Sequence, residues 1–244
     1  MWAWVLGFSL VGSVGGLGGT AIILVVSERV RSTVLPHLIS FGTGTLLGLA
    51  FLGLLPEALE RAPAKPTMMV ALAGVLALFA LEKVMLWRDC HDPDCEAHHT
   101  AGKLILLGDG IHNFLDGITI GAAFVASTTL GVATSLAVLV HELPQEIGDF
   151  AVLVESGYEK KRAFYVNFLA SLTTVPGALL AYFGLGAVHG AIPYMLAIAG
   201  AAFIYVAIGH LIPMLHRRVG VWASLQQVAL IGLGVGTIML LELH

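Results

Sequence analysis

The chain has 244 residues, of which 57% are apolar and only 11% are charged, and its mean hydropathy is +0.90. Its 12 Lys and Arg and 16 Asp and Glu residues give a net charge of −4 and are too few to cover a soluble domain of this length. No basic run points to nucleic acid, and two cysteines are too few for a disulfide framework. The composition predicts an integral membrane protein.

Eight apolar runs are long enough to cross about 30 Å of hydrocarbon, which takes about 20 helical residues. Lipid offers the backbone no hydrogen-bond partners, so each run is predicted to be a transmembrane helix. The first run lacks a basic segment and a clear cleavage site, and we expect a retained span rather than a signal peptide. The predicted spans are 2–26, 35–59, 67–87, 102–126, 129–154, 163–186, 191–215 and 222–243.

The basic residues are divided unequally between the two sides of the predicted bundle. Ten of the twelve lie in or beside the connections that follow spans one, three, five and seven, and only Arg61 and Lys65 lie on the other side. Because positive residues favour the cytoplasmic side, both termini are expected to face outward and the connection 88–103 to face the cytoplasm. The other connections are short, which predicts a single transmembrane domain over residues 1–244.

Two segments of the chain resemble each other. Residues 53–61, GLLPEALER, align with residues 210–218, HLIPMLHRR, so that Pro56 matches Pro213. The segments lie near the ends of spans two and seven, which run in opposite directions in the predicted topology. This pattern is typical of inverted-repeat transporters with a site near the membrane midplane. The predicted fold is an all-α integral membrane protein with eight transmembrane helices in a compact 3+2+3 inverted-repeat bundle.

Spans four and five carry polar side chains that an apolar bundle does not need, in HNFLDG at 112–117 and HELPQEIGD at 141–149. Residues four apart share a helix face, so the polar groups of the two spans are expected to face one another. Each ionisable group costs several kcal/mol in hydrocarbon unless it meets a partner or an ion. The pairs are His112 with Asp116, His141 with Gln145, and Glu142 with Glu146, and Asn113 lies beside the first.

The His and carboxylate side chains of spans four and five limit which metal ions the site would bind. Neutral imidazole with carboxylate suits zinc, iron(II), manganese and cadmium, whereas calcium and magnesium prefer oxygen alone. No cysteine lies within a predicted span, which excludes a thiolate path. The sequence predicts a divalent transition metal as the transported substrate and no catalytic cofactor. The alternative is that the polar groups only bond one another.

HNFLDG followed by HELPQEIGDFAVLVESG resembles the paired signature of the ZIP (Zrt/Irt-like protein) metal transporter family. The resemblance extends to LLPEA in span two, to GAAFIYVA and IP in span seven, and to the His-bearing connection between spans three and four. It implies an eight-helix fold and import of divalent transition metal into the cytoplasm. Members of the family are often homodimers, so the resemblance also leads us to expect a homodimer here.

The resemblance also implies metal ligands on spans four and five: His112, Asn113, Asp116, His141, Glu142, Gln145 and Glu146. Gln145 stands where many members carry His or Glu, and an amide oxygen is a weaker, uncharged ligand. Two further candidates are Asn167 in span six and His210 in span seven, where His replaces a frequent acid.

The connection 88–103 carries Cys90, His91, Cys95, His98 and His99. Cytoplasmic thiols stay reduced, so these side chains are candidates for accepting or sensing metal. A solvated linker with incidental histidines is the alternative.

The predicted function is metal import across the plasma membrane, the inner membrane of a bacterium. The expected partners are divalent metal ions, the lipid bilayer and a second copy of the chain, without nucleic acid. An intramembrane zinc metalloprotease is the enzymatic alternative, since HELPQ resembles H-E-x-x-H. Gln145 replaces the second His and Pro144 disturbs the turn, so no enzyme is predicted. A metal-gated channel or receptor would share the same site.

Overall fold

The computed structural model describes residues 1–25, 28–89, 97–216 and 220–242, which are almost entirely helical and contain no strand. The α-helices are α1 (Trp2–Val25), α2 (Glu28–Gly48), α3 (Leu55–Arg61), α4 (Ala64–Asp89), α5 (Ala97–Ala126), α6 (Thr128–Glu155), α7 (Lys160–Ser171), α8 (Thr174–Ala187), α9 (Ile192–Val206), α10 (Ile212–Leu215) and α11 (Val221–Glu242). A π-helical turn, Leu49–Leu54, joins α2 to α3, and a second, Ala207–Leu211, joins α9 to α10. A 3₁₀ turn, His189–Ala191, precedes α9.

The predicted all-helical class is confirmed, and the chain is a multi-pass membrane protein. Five helical segments of the described residues are long and apolar enough to cross a membrane, and Trp2–Gly16 is a shorter apolar helix. Helices α5 and α6 are as long, but they carry the polar residues of the predicted site, which lower their mean hydropathy. The five segments are Ser32–Arg61, Ala64–Val84, Lys160–Leu185, His189–Leu215 and Val221–Leu241.

Pro56 and Pro213 match in the alignment of residues 53–61 with residues 210–218, and they occupy equivalent places in the backbone. Each follows a π turn by two residues, and the residue before each proline donates its N–H to the carbonyl five positions earlier. Proline has no N–H and its ring clashes with the carbonyl four residues before it, so the preceding turn widens. Both helical segments therefore carry the same local distortion.

Glycines let two pairs of helices pack with their backbones in contact. A Cβ atom on Gly117 of α5 would overlap the Thr174 carbonyl of α8, and one on Gly177 of α8 would overlap the Phe114 carbonyl of α5. Gly44 and Gly234 meet the facing backbone in the same way between α2 and α11. Small residues at such crossings drive close helix association in membranes.

Helices α5 and α6 lie at the centre of the bundle. They are antiparallel neighbours joined through Ser127, whose side chain caps α6 by accepting from the Leu130 N–H. Helices α7, α8 and α9 pack on α5, while α1 and α2 pack on α6. Polar side chains of the central pair that face each other are therefore shielded from lipid.

The α5–α8 contact predicts the effect of one added methyl group. Gly177→Ala forces the two backbones apart, at a cost of about 1–3 kcal/mol for overpacking. Gly184→Ala on the same helix meets no atom within 4 Å, so it keeps only the helix-propensity gain of alanine. We expect a lower apparent melting temperature in detergent for Gly177→Ala than for Gly184→Ala. Equal melting temperatures would contradict the close crossing.

Candidate metal centre

Four side chains converge between the two central helices. His112 and Asp116 come from α5, His141 and Glu142 come from α6, and one ligand atom of each lies within 4.8 Å of all the others. His141 is fully buried, and each of the two carboxylate residues is 4% exposed. The His112 side chain is 22% exposed and is the most accessible member. We call these four residues the central cluster.

Most of the distances within the central cluster match a tetrahedral metal site. The His141 Nε2 atom lies 3.0 Å from Asp116 Oδ2 and 3.3 Å from His112 Nε2. The His112 Nε2 atom lies 3.5 Å from the same Asp116 oxygen and 3.6 Å from Glu142 Oε1, and His141 Nε2 lies 3.8 Å from that Glu142 oxygen. Tetrahedral ligands about 2.0–2.1 Å from a zinc ion lie about 3.3 Å from each other.

The proton positions also favour a cation. The Ala137 carbonyl can only accept, so His141 Nδ1, 3.1 Å away, must donate to it. In the neutral ring His141 Nε2 then presents a lone pair to the cluster. Asp116 Oδ2 and Glu142 Oε1 are buried and have no hydrogen-bond partner. The short contact between His141 and Asp116 therefore joins two lone pairs unless the ring is doubly protonated, and a divalent ion would satisfy all four ligands.

Two of the other predicted ligands have different partners. The Asn113 amide donates to Asp109 Oδ1 at 2.8 Å, and its oxygen accepts from the Thr174 hydroxyl at 3.1 Å. The two carboxylate oxygens of Glu146 accept from the Asn167 amide and the Ser171 hydroxyl. Asn113 and Glu146 thus tie the central helices to α7 and α8 and lie outside the central cluster.

A cavity of about 650 Å³ opens beside the central cluster. It is bounded by α4, α5, α6, α9 and the turn before α10, and it extends toward the end of the bundle where α4 ends and α5 begins, here called the α4–α5 end. His112 and Asp116 form part of its wall. The other polar residues on its wall are Glu82, Asp109, Gln145, Asp149, Tyr205 and His210.

Apolar packing closes the central cluster on its other sides. The Phe203 ring lies 6.1 Å from the His141 ring, between ring centres, and its side chain is 1% exposed. Phe124, Ile120 and Leu196 belong with Phe203 to the buried apolar core of the bundle. Among the described residues, the cavity at the α4–α5 end thus provides an approach to the four ligands.

The remaining predicted candidates lie apart from the central cluster. His210 is on the cavity wall, with its Nε2 atom 3.8 Å from Glu82 Oε1, and Glu82 also accepts from the Tyr205 hydroxyl. The oxygen of Asn167 is buried without a partner. Cys90, His91 and Cys95 lie outside the described residues. His98 and His99 are at the start of α5, with side chains outside the described set.

The sequence interpretation missed Asp109, which is 4% exposed and lines the cavity. Its position three residues before His112 places it on the same helix face, so helical spacing alone was a sufficient signal. Gln145 is half-buried and lines the same wall, one turn beyond His141.

Comparisons with known proteins point to one family. The family model described as ZIP zinc transporter matches residues 87–242. The chain is 31% identical over 259 residues to zinc transporter ZIP13 of Pongo abelii, covering 96% of this chain and 78% of that protein. It is 41% identical over 145 residues to zinc transporter ZIP4 of Mus musculus, covering 58% of this chain and 22% of that protein. It is 36% identical over 145 residues to zinc transporter zipt-7.2 of Caenorhabditis elegans, covering 58% of this chain and 31% of that protein. The chain thus spans less than a third of the last two relatives.

Removing one imidazole tests the central cluster without any transport assay. In purified protein in detergent, we expect His141→Ala to weaken cadmium binding by about 10–100-fold or more, since even residues behind a ligand contribute that much. His189→Ala removes an exposed imidazole from the 3₁₀ turn and should bind as the unaltered protein does. Equilibrium dialysis gives both affinities, and equal values for the two variants would contradict the assignment.

Proposed function

This chain belongs to the ZIP family of zinc transporters, and we propose that it carries divalent transition-metal ions, zinc first among them, into the cytoplasm. Its relatives are named as transporters, and the chain is a transporter rather than an enzyme. The central cluster is the observation that carries the proposal, because its two imidazoles and two carboxylates meet with unpartnered buried oxygens. Zinc and cadmium are best suited to this donor set, and iron(II) and manganese are further candidates.

The proposed transport step uses the central cluster and the cavity in turn. The ion is held between α5 and α6, shielded from lipid on the side of Phe203, and leaves through the cavity at the α4–α5 end. His112 is the ligand through which the ion would pass, because it is both a cluster member and the most exposed of the four. A complete cycle requires a second conformation in which the cluster is reached from the other side.

We propose that the second conformation comes from a 3+2+3 inverted repeat of eight membrane-spanning segments. The segments are α1, α2–α3, α4, α5, α6, α7–α8, α9–α10 and α11. Support comes from the twin π turns and from the packing, in which α1 on α6 mirrors α7 and α8 on α5. The packing of α2 on α11 likewise mirrors that of α9 on α4. Repeats of this kind exchange two packings around a fixed site.

The proposed setting is the plasma membrane, as the inner membrane of a bacterium, with residues 1–244 forming one domain. Both termini then face outward and the α4–α5 end faces the cytoplasm, in agreement with the basic residues. Lipid would cover exposed apolar side chains such as Met69 and Leu72 of α4.

A homodimer follows from the family resemblance. The Cys and His residues of the connection 88–103 would collect ions on the cytoplasmic side, and Asn167 and His210 would assist the path.

Uptake into proteoliposomes tests the proposed activity. We expect zinc uptake that saturates with concentration, is competed by cadmium and is unaffected by magnesium, which prefers oxygen ligands. His141→Ala should reduce the uptake at least about tenfold, in line with the loss of a ligand, and His189→Ala should not. Uptake that rises linearly without saturation would indicate a channel, and unchanged uptake by His141→Ala would contradict the site.

Thiol labelling of intact cells tests the orientation. Both cysteines of the chain lie in the connection 88–103. A membrane-impermeant maleimide should label them only after the membrane is permeabilised, because ten of the twelve basic residues place this connection in the cytoplasm. The control is the doubly substituted Cys90→Ser, Cys95→Ser chain, which should remain unlabelled. Labelling of the unaltered chain from outside would reverse the topology.

A further inference from the structure

Asp109 of α5 is a buried acid that the central cluster does not use. Its Oδ1 atom accepts from the Asn113 amide at 2.8 Å, whereas its Oδ2 atom is buried and has no hydrogen-bond partner. The residue is 4% exposed and contributes to the cavity wall. A carboxylate oxygen buried without a donor costs free energy unless a proton or a cation meets it.

Asp109 does not stand alone on this part of the wall. It lies one helical turn, or about 5 Å, from His112 toward the α4–α5 end. Because α6 is antiparallel to α5, Gln145 and Asp149 lie in the same direction from His141 and line the same cavity. Two acids and an amide oxygen thus form a second polar level beside the central cluster.

We propose that Asp109, Gln145 and Asp149 form a second cation site, which takes a partly hydrated divalent metal ion as it leaves the central cluster. This inference rests on the proposed function. The nearby acid Glu146 is less suited to the site, because both of its oxygens already accept hydrogen bonds, from Asn167 and Ser171. Asp109 has one oxygen held in place by Asn113 and the other free for a ligand.

The donor types assign this second site a role in release. Its ligands are oxygens alone, which hold zinc and cadmium less strongly than a set containing two imidazoles. Two carboxylates balance the charge of a divalent ion, and the adjoining cavity has room for the waters that complete its coordination. An ion moving from the central cluster to this level keeps a favourable partner while it becomes easier to release.

Cadmium-113 NMR of the purified protein in detergent tests the inference, because the chemical shift separates nitrogen-containing from oxygen-only coordination. With cadmium in excess, a chain in which Cys90, His91, Cys95, His98 and His99 are replaced by Ser or Ala should show two resonances, and the other variants are made in this background. Asp109→Asn keeps the size of the side chain and an oxygen for Asn113, and it should lose the oxygen-only resonance alone. Asp149→Asn should do the same and serves if the first variant fails to fold. Glu82→Gln removes a charge elsewhere on the cavity wall and should retain both resonances.

The variants separate this inference from the proposed function. The double variant His112→Ala, His141→Ala should lose the nitrogen-containing resonance. If the background chain shows that resonance alone, or if Asp109→Asn and Asp149→Asn both retain two, the second site is overturned while the central cluster stands. If the double variant His112→Ala, His141→Ala retains the nitrogen-containing resonance, the central cluster is overturned, and with it the second site, which serves as its exit. If Glu82→Gln also loses the oxygen-only resonance, then the overall negative charge of the cavity, and not a specific ligand set, explains the binding. That result would also overturn the second site.

Discussion

Lone pairs that point at one another inside an apolar bundle are the constraint on which this structure depends. His141 gives its Nδ1 proton to the Ala137 carbonyl, and Asp116 and Glu142 each direct a buried oxygen without a partner toward the same space. Such an arrangement is unfavourable without a cation, because a buried carboxylate oxygen without a donor costs free energy. The central cluster therefore lowers the stability of the metal-free protein and raises its affinity for a metal ion.

The surrounding helices keep that arrangement in place. Gly117 and Gly177 let α5 and α8 touch through their backbones, and Asn167 and Ser171 of α7 hold Glu146 of α6. These contacts fix the two central helices laterally. The π turns before Pro56 and Pro213 widen the two helical segments that flank the site, at equivalent positions. Widened turns are less regular than α-helix, and they are the points at which we expect the repeats to bend between conformations.

Helical spacing predicted which side chains share a helix face. It could not predict which hydrogen-bond partners those side chains find on other helices. The i, i+4 rule placed His112 with Asp116 on one face of α5, because such pairs depend on local periodicity. Most predicted runs begin and end within a few residues of the helices, but α2 begins at Glu28, well before its predicted span 35–59. Asn113 and Glu146 were predicted as flanking ligands, and helical spacing alone could not show that their hydrogen bonds lead to Thr174, Asn167 and Ser171 on helices distant in the sequence. Only tertiary packing determines which of two polar groups on one face meets a ligand and which meets a neighbouring helix.

A crystal structure of the protein soaked in cadmium, with the metal located by its anomalous scattering, would show whether the four side chains bind one ion. We expect a cadmium ion between α5 and α6, bound by His112, Asp116, His141 and Glu142. Cadmium bound only in the connection 88–103, with the four side chains bonded to one another and free of metal, would contradict it.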